Sequence, residues 1–212
     1  MTLDANSGRR EEVLRHARQV VMRDGLDATS LRRIAREGGF TTGVLSHYFA
    51  DKRELIAACF EWTLHTWLDR VEQELDATAD PEEHLCRFVS FAVPHYPEQH
   101  GEWRLWLNFC VTAVGDRELA DLLVDVDRRW EANATASLAL WEKAGLLSCP
   151  VPVEQQALIL SRLGDGLGLR ALLTGDWNEA RRNYVAMLTS LGISDELAAR
   201  ALAAPPAQVG EV

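Results

Sequence analysis

The feature that most constrains this chain is the glycine pair Gly38-Gly39, set between two short stretches whose apolar residues recur at helical spacing. Upstream, Leu31, Ile34 and Ala35 share one helical face behind Ser30 or Thr29, either of which offers an N-capping oxygen. Downstream, Val44, Leu45 and Tyr48 form the next periodic set behind Thr41 or Thr42. Two helices crossing this closely need a small side chain at their contact and a turn residue that tolerates positive φ. Ala35 and Gly39 meet those needs, so the spacing predicts a helix-turn-helix with Leu45 plugged into its core.

The remaining sequence reads as helices in series, with no strand-like alternation and no internal repeat. Val13, Ala17, Val20 and Val21 share a helical face that ends before Gly25, and Met1–Gly8 reads as a mobile polar arm. Asp51 caps a long helix to about Thr78, read as the link between a small N-terminal domain and a larger body. Asp80-Pro81 opens another helix, which Pro94 and Pro97 must break or bend. Helices follow around Trp103–Val114, from Asp116 to Gly145, over about 153–174 and over about 177–191. A short Ala-rich helix comes after Asp195, and a frayed tail from Pro205. The expected fold class is therefore all-α: an N-terminal three-helix helix-turn-helix domain (1–53) and a larger helical domain (54–212).

Charge separates the same two parts. Residues 1–53 carry ten Lys or Arg against seven acids, a net of +3, while the rest carries −13 of the overall −10 balance. A basic end joined to an acidic body favours one docking orientation on a polyanion. Cys59, Cys86, Cys110 and Cys149 are far apart, without a C-x-x-C pair or metal-ligand spacing, and read as buried free thiols. No apolar run has signal-peptide length or reaches the roughly 18 residues of a membrane span, so a cytoplasmic location and no membrane partner are expected. An enzyme reading would place acid–base chemistry on His65, His84, His95 or His100. No nucleophile elbow, phosphate loop or metal-binding signature supports it, so no catalytic residue, metal or cofactor is assigned.

Between Thr29 and Phe49, and in the tail Tyr48-Phe49-x-Asp51-Lys52-x-x-Leu55, the chain resembles the DNA-binding domain of the TetR family of bacterial one-component repressors. In that family a first helix, here about residues 9–24, braces the helix-turn-helix. The variant Gly43-Val44-Leu45-Ser46-His47-Tyr48-Phe49 is similar to the branch that includes the BetI choline-responsive repressors. It departs from the commoner family pattern by placing Ser46 where an aromatic usually stands. Trp103-Arg104-Leu105-Trp106-Leu107 and Asp165-Gly166-Leu167 extend the likeness to the BetI-type C-terminal domain.

The resemblance implies a ligand-responsive regulator, most simply a repressor, that binds a double-stranded inverted-repeat operator as a homodimer. An activator or protein-recruiting factor on the same fold stays open, because operator position decides between them. Base edges would meet Thr41, Thr42, Gly43, Val44, Ser46 and His47, and Ser30, Arg32, Tyr48 and Lys52 match the phosphate-clamping positions. None of these makes a bidentate contact to guanine or adenine, so DNA shape is expected to contribute. Trp62, His65, Phe88, Phe91, His95, Trp103, Trp106 and Trp130 are candidate walls of a small-molecule effector pocket, although an aromatic stripe is also what a plain core looks like. A quaternary ammonium effector would use aromatic faces with an acid such as Glu102 or Asp165. By the same resemblance the closing helices form a four-helix dimer seam at Leu160, Gly164, Leu167, Tyr184 and Leu188; the alternative is two ordinary core helices within one protomer.

Overall fold

The structure, a computed structural model, describes residues 2–93 and 97–204, apart from the side chains of residues 2–7 and 97–99. Among the described residues every regular element is an α-helix: α1 (Thr2–Asp24), α2 (Leu31–Glu37), α3 (Thr42–Tyr48), α4 (Lys52–Asp76), α5 (Pro81–Ala92), α6 (Pro97–Ala113), α7 (Arg117–Lys143), α8 (Val153–Thr174), α9 (Trp177–Ser190) and α10 (Asp195–Ala203). No described helix is long and apolar enough to cross a membrane. The chain falls into two compact units. The first gathers residues through Thr66 together with Arg104–Leu123, and the second holds Trp67–Trp103 and the chain from Val124 onward. The first unit thus runs past residue 53 into α4, to Thr66.

In the first unit, local chemistry fixes the helix-turn-helix. Ser30 is the cap of α2, its Oγ accepting from the Arg33 N–H at 3.3 Å, while the Thr29 hydroxyl turns back and donates to the Gly25 carbonyl at 2.7 Å. Gly39 takes φ +66°, and the chain reverses so that the Phe40 N–H reaches the Ala35 carbonyl at 2.8 Å. The Phe40 ring lies over Gly38, where any Cβ would collide with it. Thr41 caps α3 through the Val44 N–H at 3.4 Å. Val13, Leu14, Ala17 and Val20 of α1 close over Ile34, Ala35, Leu45, Phe49, Leu55 and Cys59 to make the core of this unit. At about 1.5–3 kcal/mol for each large side chain fully buried, that cluster holds α2 and α3, two short helices that could not stand alone. The polar segment expected to be a mobile arm instead continues α1 back to Thr2.

The second unit is built around α5, α7, α8, α9 and α10. Phe88, Leu138, Trp141, Ala157, Leu160, Tyr184 and Leu188 are fully or almost fully buried in its core, and α10 packs on α5 and α9 through Leu197 and Ala201. Arg181 of α9 is buried, and its Nη2 donates to the Ala201 carbonyl at 2.7 Å, satisfying a carbonyl in the last turn of α10. Asp80, Asp176 and Ser194 cap α5, α9 and α10 with side-chain oxygens. Of the expected break or bend, the break is found: α5 stops at Ala92 and α6 begins at Pro97, whose missing N–H a first turn does not need. Residues 94–96 lie outside the described residues, as does the tail from Pro205.

Candidate DNA interface and effector site

α3 buries one side chain, Leu45, and turns the rest outward. Thr41, Thr42, Gly43, Ser46 and His47 are exposed and Val44 and Tyr48 half-buried, so the expected base-reading positions lie together on the open face of one short helix. The Ser46 hydroxyl donates to the Thr42 carbonyl at 3.1 Å, and the His47 ring meets Tyr48 edge-on at 4.9 Å between centroids. The cations around α3 differ in how free they are. Arg32 and Arg36, one turn apart on α2, are exposed and have no carboxylate partner among the described residues. Arg23 is held by Asp24 and by Glu37 at 2.6 Å, Arg33 by Asp24 at 2.8 Å, and Arg53 by Asp116 at 2.5 Å. These hydrogen bonds hold Asp24, Glu37 and Asp116 below the ordinary carboxylate range and keep them charged. Lys52, expected to clamp a phosphate, directs one Nζ donor to the Leu26 carbonyl at 2.8 Å and so also ties α4 to the loop after α1. Arg36 is the binding candidate that sequence reasoning passed over, although its place four residues after Arg32 puts it on the same face.

The aromatic residues expected to line an effector pocket are distributed over both units. Trp62, His65 and Trp106 belong to the first, where Trp62 packs on the core beside α3. Phe88, Phe91, Trp103 and Trp130 belong to the second, and His95 lies outside the described residues. Phe88 is 1% exposed and stacks on Trp130 at 5.1 Å, with Trp67 at 5.3 Å beyond it and Trp141 edge-on to Phe88 at 5.2 Å. Trp141 Nε1 donates to His84 Nδ1 at 3.2 Å, and burial pushes the His84 pKa down. Phe88 and Phe91 are therefore core residues, since a ring enclosed on all sides by its own chain has no face left for a ligand. Trp103 stands in a separate group, edge-on to Trp177 and pressed on α8 at Gly168, where a Cβ would collide with its ring.

Near Trp130 the second unit gathers charge. Arg162 of α8 bonds Glu131 at 2.6 Å, Asp165 at 3.2 Å and Asp127 at 3.3 Å. Partial burial raises Asp127 and pushes Asp165 up to about 6, because one guanidinium does not offset the desolvation of neighbouring carboxylates. The cysteines depart in part from expectation: Cys59 and Cys86 are buried, with Cys59 pushed up to about 12 by burial, while Cys110 and Cys149 are half-buried.

The seam residues named from the sequence turn inward. Leu160, Tyr184 and Leu188 are buried in the core of the second unit, and Gly164 lets α8 approach the Ala92 carbonyl and Tyr184. Only Leu167 keeps partial exposure. The reason is the register of α8: the face at 157, 160, 164, 168 and 171 packs within the protomer, so a different apolar set, Leu158, Ile159, Leu169 and Leu173, faces outward, with Leu173 77% exposed. The sequence held the signal, because these four recur on one helical face with Arg162 and Gly166. It was masked by the apolar character of the opposite face.

Two family models match separate stretches of the sequence. The family model described as bacterial regulatory proteins, tetR family, matches residues 13–59, and that described as BetI-type transcriptional repressor, C-terminal, matches residues 81–191. The regulator PksA of Bacillus subtilis is 27% identical over 78% of this chain and 79% of its own length. The regulator BetI of Stenotrophomonas maltophilia is 27% identical over 84% and 89%. Among solved structures, a transcriptional regulator from Saccharomonospora viridis, crystallised with choline, superposes with a TM-score of 0.77 at 24% identity over 86% of this chain and 96% of that one. A TetR regulator from Haloarcula marismortui gives 0.76 at 21% over 87% and 98%. With one family model matched near its start and a BetI-type model matched over half its length, the chain belongs to the TetR family of DNA-binding, ligand-responsive transcriptional regulators and is not an enzyme.

Proposed function

We propose that the chain is a repressor that holds an inverted-repeat operator as a homodimer and releases it when a small organic cation binds the second unit. The observation that carries the DNA half is α3, a capped helix whose single inward residue, Leu45, fixes the register of its exposed polar face. Thr42 and Ser46 hydroxyls can pair with donors or acceptors, and the Ser46 hydroxyl must leave the Thr42 carbonyl to read a base. The outward Leu158, Ile159, Leu169 and Leu173 support dimerisation, because two half-sites about a helical turn or more apart need two readers on one body. The cation class is supported by Asp127, Glu131 and Asp165 outnumbering Arg162, by the half-buried Trp130 on the same stretch of α7, and by the choline of the similarly folded regulator.

The test is a titration of labelled DNA flanking the chain's own gene. Sequence-specific binding is expected, with Thr42→Ala and Ser46→Ala changing which sequences are preferred; a protein with no sequence preference at moderate salt overturns the reading. Choline or tetramethylammonium should then weaken operator binding by about ten- to a hundredfold, and operator must weaken binding of that cation by the same factor. A cation that binds equally well with and without operator is not the inducer.

A further inference from the structure

Two cations of α1, Arg9 and Arg10, lie against the aromatic residues that flank α3. The Arg9 guanidinium carbon sits 4.7 Å from the centroid of Phe40, the residue just before the Thr41 cap, and that of Arg10 sits 5.4 Å from Phe49, the C-cap itself. Both rings are buried and both arginines are exposed. A guanidinium lying on a ring uses its face for the ring and keeps the N–H donors of its edge for another partner. Arg9 shares its edge with Glu12 at 2.8 Å, whereas Arg10 has no carboxylate partner among the described residues.

Helix length turns this into a statement about DNA. Seven residues of α-helix measure about 10 Å, and the major groove is about 12 Å wide. With α3 lying across the groove, a group that flanks either end of it and points away from the bases stands at the border, where the phosphates run. We propose that Arg9 and Arg10 are DNA-binding residues outside the helix-turn-helix, each contacting a phosphate on one border of the groove that α3 enters, with Arg10 contributing more because no carboxylate among the described residues competes for it. The ring contacts hold both cations in place before DNA arrives, so little side-chain freedom is lost on contact. This rests on α3 being the groove helix.

Phosphate contacts do not depend on sequence, so a labelled duplex of mixed sequence, about 30 base pairs long, reports them through the dependence of binding on salt. Each of Arg9→Gln and Arg10→Gln should lower the slope of log affinity against log salt by up to about 0.9, with the larger loss for Arg10. Arg10→Lys should keep the slope. Thermal unfolding of the same variants separates a structural role, which would lower the midpoint and leave the slope alone. Variants that bind with the unmodified slope overturn the proposal and leave the α3 assignment standing; failure of the unmodified protein to bind duplex DNA sinks both.

Discussion

α3 and α8 are both amphipathic helices packed on a core, yet they divide inward from outward residues very differently. α3 has one buried side chain, and its other positions are polar, small or half-exposed, so the face left for DNA follows as soon as Leu45 is placed. α8 is apolar on two faces: Ala157, Leu160 and Ala171 go into the protomer, and Leu158, Ile159, Leu169 and Leu173 go to the outside. Periodicity identifies a buried face only when the opposite face is polar. Where both are apolar, the smaller residues, Gly164 and Gly168 here, mark the side of closest approach. That side is the protomer's own core.

The sharpest way to break the comparison is to place a charge on each face of the closing helices. Leu188→Glu buries a carboxylate at a position with no solvent access and should cost about 4 kcal/mol or more, enough to unfold the second unit. Leu173→Glu places the same charge on a side chain that is already 77% exposed, so the protomer should keep its helicity and sediment as a monomer. Circular dichroism and sedimentation on both variants decide the matter. A folded, dimeric Leu173→Glu moves the seam away from this face of α8.

How much was legible follows from the same difference. The helix-turn-helix could be read nearly residue by residue because its signals are local: Ser30 and Thr41 as caps, Gly39 in the turn, Leu45 inward. The helices of the second unit were also legible, since Asp80, Gly145 and Gly175 punctuate them. What could not be read was pairing between distant segments. Nothing local tells that Phe88 is enclosed by Trp130 and Trp141, that Lys52 reaches Leu26, or that Arg53 is held by Asp116. Candidate pocket walls therefore included core residues, and candidate phosphate clamps included a side chain partly engaged within its own chain.

Glycine substitutions give a smaller effect on the same helix. At Gly168 a methyl group would meet the Trp103 ring, so Gly168→Ala should destabilise by about 1–3 kcal/mol through forced displacement of a packed aromatic. Gly166, two residues away, has nothing within the protomer for a Cβ to meet and should respond in the opposite sense there: in the Leu173→Glu background, Gly166→Ala improves helix propensity by up to about 1 kcal/mol. Urea denaturation resolves both. Equal responses would mean that Trp103 moves aside, and that α8 is less tightly bound on its inner face than the collision implies.

The smallest effect is in pH, and it compares two titrating groups of the second unit. Burial lowers the His84 pKa in the folded state, so its contribution to stability is complete above about 6.5, its unfolded value, and declines as pH falls through the folded one. Burial raises Asp165 from 3.8 to about 6, so its neutral form stabilises the fold at low pH and that contribution fades as pH rises through 6. Between pH 7 and 5 the two oppose each other. Asp24, Glu37 and Asp116 do not complicate this window, because hydrogen bonds from Arg23 and Arg53 keep them charged well below it. His84→Gln should therefore flatten the loss of stability on acidification by removing the group that resists protonation. Asp165→Asn should steepen it, because the gain from protonating that carboxyl disappears while His84 still titrates. Unfolding midpoints at pH 5, 6, 7 and 8 for the two variants test this, and an Asp165→Asn curve with the same pH slope as the unmodified protein would show that Asp165 keeps an ordinary carboxylate pKa in the folded protein.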